Sequence, residues 1–326
     1  MNYFSKFLFT ITSISLLSFT VYSDEPSEQS ASSTLDEIIV TARKREESLL
    51  DISESVSAIS GSDIEDQNIK GLDKVGLLIP NLNLAMRADG YPNVSIRGIG
   101  AFGLTQGVGF YLDDVQLFSD ASSRFGDLDR IEVLKGPQGI LYGGSNIGGA
   151  IKFVSKRPSS EEGFNGKVKY QIGQQGISDT EVSANIPLQG DWAMRVFAFS
   201  RDDDGFIKNP NSDGIDNQPK NVGAYSQDGA RVSISGSLSD NLSLYASFRR
   251  NEYLGPVNAW ARELGQPGSF QYPKTLDTGT NSTRDAETTA AMLELNWSLD
   301  GFDITSITSS TDTESTRITD VDLTQF

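Results

Sequence analysis

Residues 127–158 read DLDRIEVLKGPQGILYGGSNIGGAIKFVSKRP, and the interpretation of this stretch decides the fold. Two strand-forming runs, RIEVLKGP and GGAIKFVS, flank a loop dense in glycine. Glycine supplies positive φ or close backbone approach where other residues cannot. The loop therefore either cradles a phosphate or closes a compact domain folded inside something larger. A phosphate cradle needs GxxxxGK[ST], or GxGxxG between a strand and a helix. Here GGSNIGGAIKFVS runs straight into a β-branched strand, and no Lys-Ser/Thr follows the second glycine pair. The glycines read as structural.

Working towards the N-terminus, residues 56–118 have the mixed patterning of a small α+β domain. VSAIS (56–60) reads as a strand, and Ser62-Asp63-Ile64-Glu65 as a helix start with acidic residues in its first turn. IKGLDKVGLLIP reads as a second amphipathic helix stopped by Pro80. VSIRGIG (94–100), a glycine-rich loop, and VGFYLDDVQLF (108–118), a buried strand closed by an acidic turn, follow. Further upstream, LDEIIVTA (35–42) is a short β-branched run after the polar, aperiodic DEPSEQSASST (24–34), which reads as a disordered leader. Such a run either joins the chain's own sheet or adds to the edge of another protein's sheet. The first 23 residues carry Lys6 before an interrupted apolar run, then Val21-Tyr22-Ser23 at a cleavage position. This is the pattern of an export signal removed after Ser23.

Composition narrows the chemistry. The 326 residues include no His and no Cys, and carry 27 Lys plus Arg against 44 Asp plus Glu, a net charge of −17. Disulfides, thiolate metal sites and thiol nucleophiles are excluded, along with the commonest general base. An acidic chain lacks the positive footprint of a nucleic-acid binder. The acidic groups Asp113-Asp114, Asp127 with Asp129, and Asp202–Asp204 lack the ligand spacing of a cation loop. No carboxylate pair stands out for glycoside hydrolysis. The chain reads as a non-enzyme with no metal and no cofactor.

Beyond Pro158 helical periodicity gives way to alternation. RVSISGSL sets Val232, Ile234 and Leu238 on one face against Arg231, Ser233, Ser235 and Ser237. NLSLYASFRR opposes Leu242, Leu244, Ala246 and Phe248 to Ser243, Tyr245, Ser247 and Arg249. AMLELNWSL repeats the pattern with Leu293, Leu295, Trp297 and Leu299. A period of two marks half-buried strands, in a sandwich or in a barrel. Trp192–Arg201 has no clean face, since Phe197 and Phe199 share a side with Arg195. About seven strands are expected, at 164–173, 179–188, 192–201, 226–238, 242–250, 287–299 and 302–311. Short turns at 189–191, 239–241 and 300–301 alternate with longer connections, as in outer-membrane barrels with short periplasmic turns and long outer loops. Seven strands do not close such a barrel, so the chain reads as an incomplete copy of a longer protein.

Several blocks together carry a family resemblance. LDEIIVTARKRE resembles the TonB box of TonB-dependent outer-membrane receptors. VSAISGSDIEDQNIKGLDKVGLLIPNL, VSIRGIG, VGFYLDDVQL and RIEVLKGPQGILYGGSNIGGAIKFVSKRP resemble successive blocks of that family's plug domain. The resemblance is dense over 35–158 and looser beyond. It implies an all-β transmembrane barrel, 22-stranded in the family, with an α+β plug in its lumen. The implied organisation is a signal peptide (1–23), a periplasmic leader (24–34), the TonB box (35–42), the plug (43–158) and a partial barrel (159–326). The leader is too short for the signalling domain that some members carry before the box.

The resemblance also implies function. Glu37, Ile38, Ile39, Val40 and Thr41 would be captured by TonB through strand addition, with ExbB and ExbD energising TonB from the inner membrane. Arg97 and Lys135 stand where the family's two plug arginines pair with barrel glutamates. Lys135 lacks arginine's bidentate fork and would make a weaker lock. Phe102 and Gly103, in the apex 101–109, would either touch the ligand or form a flexible turn. The expected role is TonB-dependent transport of a bulky scarce nutrient, by family analogy a ferric siderophore, across the outer membrane of a Gram-negative bacterium, embedded in its lipid. The alternative is a truncated, non-transporting product whose plug is at most a periplasmic binding module.

Overall fold

The structure is a computed structural model. It describes residues 39–41, 44, 47–52, 54–69, 72–86, 92–100, 107–117, 126–144, 146–174, 176–205, 207–208, 221–256 and 282–318. The export signal, the leader, Glu37, Ile38, Phe102 and Gly103 lie outside the described residues.

In chain order the first part runs β1 (Ile39–Val40), β2 (Glu47–Ser48), β3 (Val56–Ser60), α1 (Gly61–Asp66), α2 (Leu72–Leu78), β4 (Leu82–Met86), β5 (Pro92–Ile96), β6 (Val108–Leu112), β7 (Val115–Leu117), β8 (Leu128–Lys135), α3 (Gly139–Tyr142) and β9 (Gly149–Ser155). Five of these strands form one sheet in the order β3-β8-β9-β6-β7, with β6 and β9 parallel and the other neighbours antiparallel. The opening stretch thus supplies the two central antiparallel strands, β8 and β9. VGFYLDDVQL is not one strand closed by a turn but a hairpin. Asp113 and Asp114 form its turn at φ 48° and 70°, a left-handed conformation that Asp tolerates better than most residues.

The two faces of this sheet differ. One packs Ile59, Phe110, Leu112, Ile131, Val133, Ile151 and Phe153 against Ile64 of α1 and Val75 of α2, with Ile79 just beyond. Burying each such side chain contributes about 1.5–3 kcal/mol. Ser60 starts α1 by accepting a hydrogen bond from the Asp63 amide at 3.1 Å. The other face carries the row Ala58–Glu132–Lys152–Tyr111–Gln116, one residue from each strand in register. Alternation on a buried sheet has placed ionisable groups there, and the N-terminal ribbon β1–β2 covers them.

The second part is a seven-stranded antiparallel sheet in the order β10 (Asn165–Ile172), β11 (Ser178–Pro187), β12 (Ala193–Asp203), β15 (Tyr225–Ser239), β16 (Leu242–Pro256), β17 (Thr283–Leu299) and β18 (Phe302–Ile318). A small ribbon, β13 (Ile207–Lys208) with β14 (Asn221–Val222), lies within the β12–β15 connection. The turns at 189–191, 239–241 and 300–301 are short, and Gly190 and Gly301 take the left-handed φ that such turns demand. β15 to β18 run 15 to 17 residues, longer than the alternating pattern alone suggests.

The polarity of this sheet is inverted. Its outward rows are apolar: Met194–Ile234–Ala246–Leu293 and Val196–Val232–Phe248–Ala291. Val232, Phe248, Leu293 and Trp297 are exposed. Its inward rows hold Arg195, Arg231, Ser233, Arg249 and Glu294, all buried. A water-soluble sheet would bury the first set and expose the second. The ambiguous strand 192–201 follows the same rule: Arg195, Phe197 and Phe199 are all buried on the inward face, where Arg195 meets Asp127 and the Phe197 ring lies against Gly126. Among the described residues no helix is long and apolar enough to cross a membrane.

Candidate functional site

The site is built where β1 ends. Ile39 and Val40 pair with Ser48 and Glu47, and Val40 is fully buried while Ile39 is half exposed. Thr41 follows, and all three of its polar atoms are engaged. Its amide donates to Glu132 Oε1 at 2.8 Å. Its hydroxyl donates to the same oxygen at 3.2 Å and accepts from Arg130 Nη2 at 3.0 Å and Lys152 Nζ at 2.7 Å. Its carbonyl accepts from the Lys44 amide at 3.0 Å and from Lys152 Nζ at 3.3 Å.

The partners come from different strands. Glu132 on β8 and Lys152 on β9 are register partners, both 1 % exposed or less. Arg130 Nε donates to Glu132 Oε1 at 2.7 Å. Lys152 also pairs with Asp114 of the β6–β7 turn at 3.0 Å, and Lys44 reaches the same carboxylate at 2.6 Å. The Lys44 ammonium sits 4.4 Å from the centre of the Tyr142 ring. Burial works against the ionised form of Asp114, but Lys152 and Lys44 outweigh it and hold the carboxyl below its ordinary value. Burial, reinforced by the charges of Asp114 and Glu132, pushes the Tyr142 phenol far up, so it stays neutral.

The structure also brings Arg97 and Lys135 together. Arg97, at φ 54°, donates from Nη2 to Ser55 Oγ at 2.8 Å, and the Lys135 amide donates to the Ser55 carbonyl at 2.9 Å. Burial and then the Arg97 charge push the Lys135 ammonium below its ordinary value. Neither side chain has a carboxylate partner among the described residues.

The two parts of the chain are joined by ion pairs that the sequence analysis did not single out. Arg195 of β12 forks onto Asp127 at 2.7 and 2.5 Å, and Arg231 of β15 donates to the Asp127 carbonyl at 2.9 Å. Arg157 forks onto Glu294 of β17 at 3.0 and 2.7 Å and lies 4.3 Å from the Tyr245 ring centre. Asn185 grips the connecting segment through Ser159 and the Gly163 carbonyl. Glu65 of α1 accepts from Lys167 of β10, and that bond, aided by Lys169 against some burial, lowers its carboxyl pKa. The one signal in the sequence was the awkward placing of Arg195 among the phenylalanines.

Residues 48–150 match the TonB-dependent Receptor Plug Domain. The vitamin B12 transporter BtuB of Vibrio vulnificus is 27 % identical over 239 residues, 71 % of this chain and 38 % of that protein. The pesticin receptor of Yersinia pestis is 28 % identical over 181 residues, 53 % of this chain and 26 % of the receptor. The chain thus spans well under half the length of these relatives. Among solved structures, the ferric yersiniabactin uptake receptor FyuA from Yersinia pestis superposes with a TM-score of 0.69 at 19 % identity, covering 81 % of this chain and 41 % of that one. The ferripyoverdine receptor of Pseudomonas aeruginosa gives 0.65 at 16 %, covering 80 % and 34 %. Four strands of the five-stranded sheet lie within the matched plug region and the fifth, β9, starts at its end, and the two solved structures share the fold described above.

Proposed function

We propose, for a chain that belongs to the TonB-dependent receptors of the Gram-negative outer membrane, that it serves active uptake of a bulky scarce nutrient, a ferric siderophore. In this reading the N-terminal strand is the handle. TonB, energised by ExbB and ExbD, captures Glu37 to Thr41 by strand addition, and pulling rearranges the plug within a lipid-embedded wall. Arg97 and Lys135 form a paired cationic patch suited to carboxylates on a barrel wall, and Phe102 and Gly103 belong to the segment offered to the ligand. Ferrioxamine and ferrichrome receptors among the relatives favour iron, although a vitamin B12 transporter stands beside them.

The observation that carries the reading is the docking of Ile39–Thr41. Among the described residues, two register pairs with β2 and the contacts of Thr41 hold the box, so it can leave without dismantling the five-stranded or the seven-stranded sheet. The test is a titration of the full chain, and of a peptide covering 35–45, with a TonB C-terminal domain. Binding is expected, and Ile39→Pro should abolish it, because proline cannot donate to a strand ladder. No binding, or binding indifferent to the proline, would remove energy coupling. A parallel titration with ferric siderophores and with cobalamin separates the two nutrient classes.

A further inference from the structure

Charge on the seven-stranded wall is sorted by face. On the outward side Asp228, Glu252, Glu287 and Glu314 stand in one row, each the register partner of the next across β15 to β18. Arg250 lies among them, 2.9 Å from Glu252 and from Glu287. The inward side has the opposite sign. Arg231 faces Arg249, and Arg284 faces Arg317, as direct register partners. Like charges opposite each other across strands are unfavourable, so stability of the sheet alone selects neither arrangement. Asp127 of the plug serves two of the inward arginines. Its fork goes to Arg195, and its carboxylate comes to Arg231 only at 3.4 Å.

Further along the inward face of β12 lies Arg201, six residues beyond Arg195. Its guanidinium sits 5.0 Å from the centre of the Tyr225 ring. Asp179 and Gln227 are its register partners on either side. Although Asp179 adjoins it, Arg201 Nε is buried without an acceptor. So is Nε2 of Gln227, a residue 6 % exposed. Buried donors are nearly always satisfied, and here two neighbours on adjacent strands both lack an oxygen. A guanidinium with a free N–H is best completed by an oxyanion.

We propose that the transported molecule is an anionic, carboxylate-bearing chelate, drawn in by the arginines of the inward face and received by Arg201 and Gln227. The class assigned to the cargo rests on the transport reading; the placing of the charges does not. A cleft lined by one sign focuses its field and speeds arrival of the opposite sign by about 10- to 1,000-fold. The outward acids keep that attraction to one side of the wall. Arg201 and Gln227 then fix the ligand through an oxygen that no described residue supplies. A neutral chelate gains nothing from the field and less from the guanidinium.

Equilibrium dialysis of the full chain in detergent reads the class with three probes: ferric citrate as the anionic carboxylate chelate, ferrichrome as a neutral hydroxamate chelate, and cyanocobalamin. Ferric citrate should bind most tightly and weaken about 10-fold or more as salt rises from about 20 to about 200 mM, while the other two hold steady. Arg201→Gln and Gln227→Glu should each weaken ferric citrate about 10–100-fold, the size of one charge-assisted hydrogen bond. Neither should alter the other two probes. Gln227→Glu is nearly isosteric, so it remains decisive if Arg201→Gln fails to fold. Glu252→Gln, on the outward face, is the control and should leave ferric citrate binding unchanged. Tighter binding of ferrichrome or cyanocobalamin overturns the anionic class and leaves the transport reading standing. Ferric citrate binding indifferent to salt and to both substitutions does the same. If no probe binds, the class is overturned too, and capture by the TonB C-terminal domain decides whether the transport reading falls with it.

Discussion

Thr41 uses its amide, hydroxyl and carbonyl on three charged side chains, Glu132, Arg130 and Lys152, and on the Lys44 backbone amide. The threonine hydroxyl is the part that no apolar isostere can replace. Thr41→Val retains shape and backbone bonds but takes from Glu132, Arg130 and Lys152 a partner in a buried setting. Leaving buried polar groups short should cost the docked state about 1–3 kcal/mol, read as faster amide exchange at Val40 with little change in the core of β8. Acid should have a related effect. The Asp114 carboxyl is held below its ordinary value of 3.8, so its contribution is complete above that value and is lost as pH falls through the lower folded-state value. Box exchange measured downwards from neutral pH should therefore stay slow until below about pH 4, and Asp114→Asn should be loosened already at neutral pH. A box whose exchange is flat with pH, or that loosens near neutrality, would show that Asp114 does not hold it.

At the scale of elements, strands and turns were largely legible because a period of two needs only local sequence. β15, β16 and β17 follow their alternation, and the three short turns sit where the sequence places them. β12 resisted because an inward face packed against a plug accepts phenylalanine and arginine together, so no polarity rule sorts it. VGFYLDDVQL resisted because every residue of its first arm, β6, is buried, which erases alternation there. The docking cluster was not legible at all. Thr41 meets Glu132 and Lys152 across 91 and 111 residues, and only the register of β8 on β9 and of β9 on β6 brings them together. Family resemblance pointed to the strand 35–42, but the contacts that restrain it had no signature. The inverted polarity carries its own prediction. Val232→Arg, on an outward row, should weaken folding into a bilayer by about 2–4 kcal/mol, if it lies near the midplane, and Ser233→Arg on the inward row should not follow that depth rule. Equal penalties at 232 and 233 would mean that the outward row does not meet lipid.

Across the whole molecule, plug and wall are joined by two forks, the buried pair Asp127–Arg195 and the pair of buried Glu294 with the more exposed Arg157, while among the described residues the N-terminal ribbon rests on the plug. The forks secure the segment 126–158 to the wall, which leaves the strands nearer the N-terminus as the part free to move under load. Asp127 lies at φ 55°, a conformation Asn adopts equally well, so Asp127→Asn removes charge without adding backbone strain. It strands the buried Arg195 and should cost about 3–5 kcal/mol, read as a lowered midpoint in denaturant with the box still docked. A midpoint unchanged by the substitution would mean the fork is not a mainstay of the seam.

All of this depends on one physical claim: the wall turns its apolar rows to lipid and its arginines to the plug. The most direct measurement places single cysteines at each position from Arg231 to Ser235, labels them with an environment-sensitive fluorophore, and compares quenching in vesicles with and without brominated acyl chains. The account expects strong quenching at Val232 and Ile234 and weak quenching at Arg231, Ser233 and Ser235. Uniform quenching along the strand, or quenching at the odd positions instead, would contradict it.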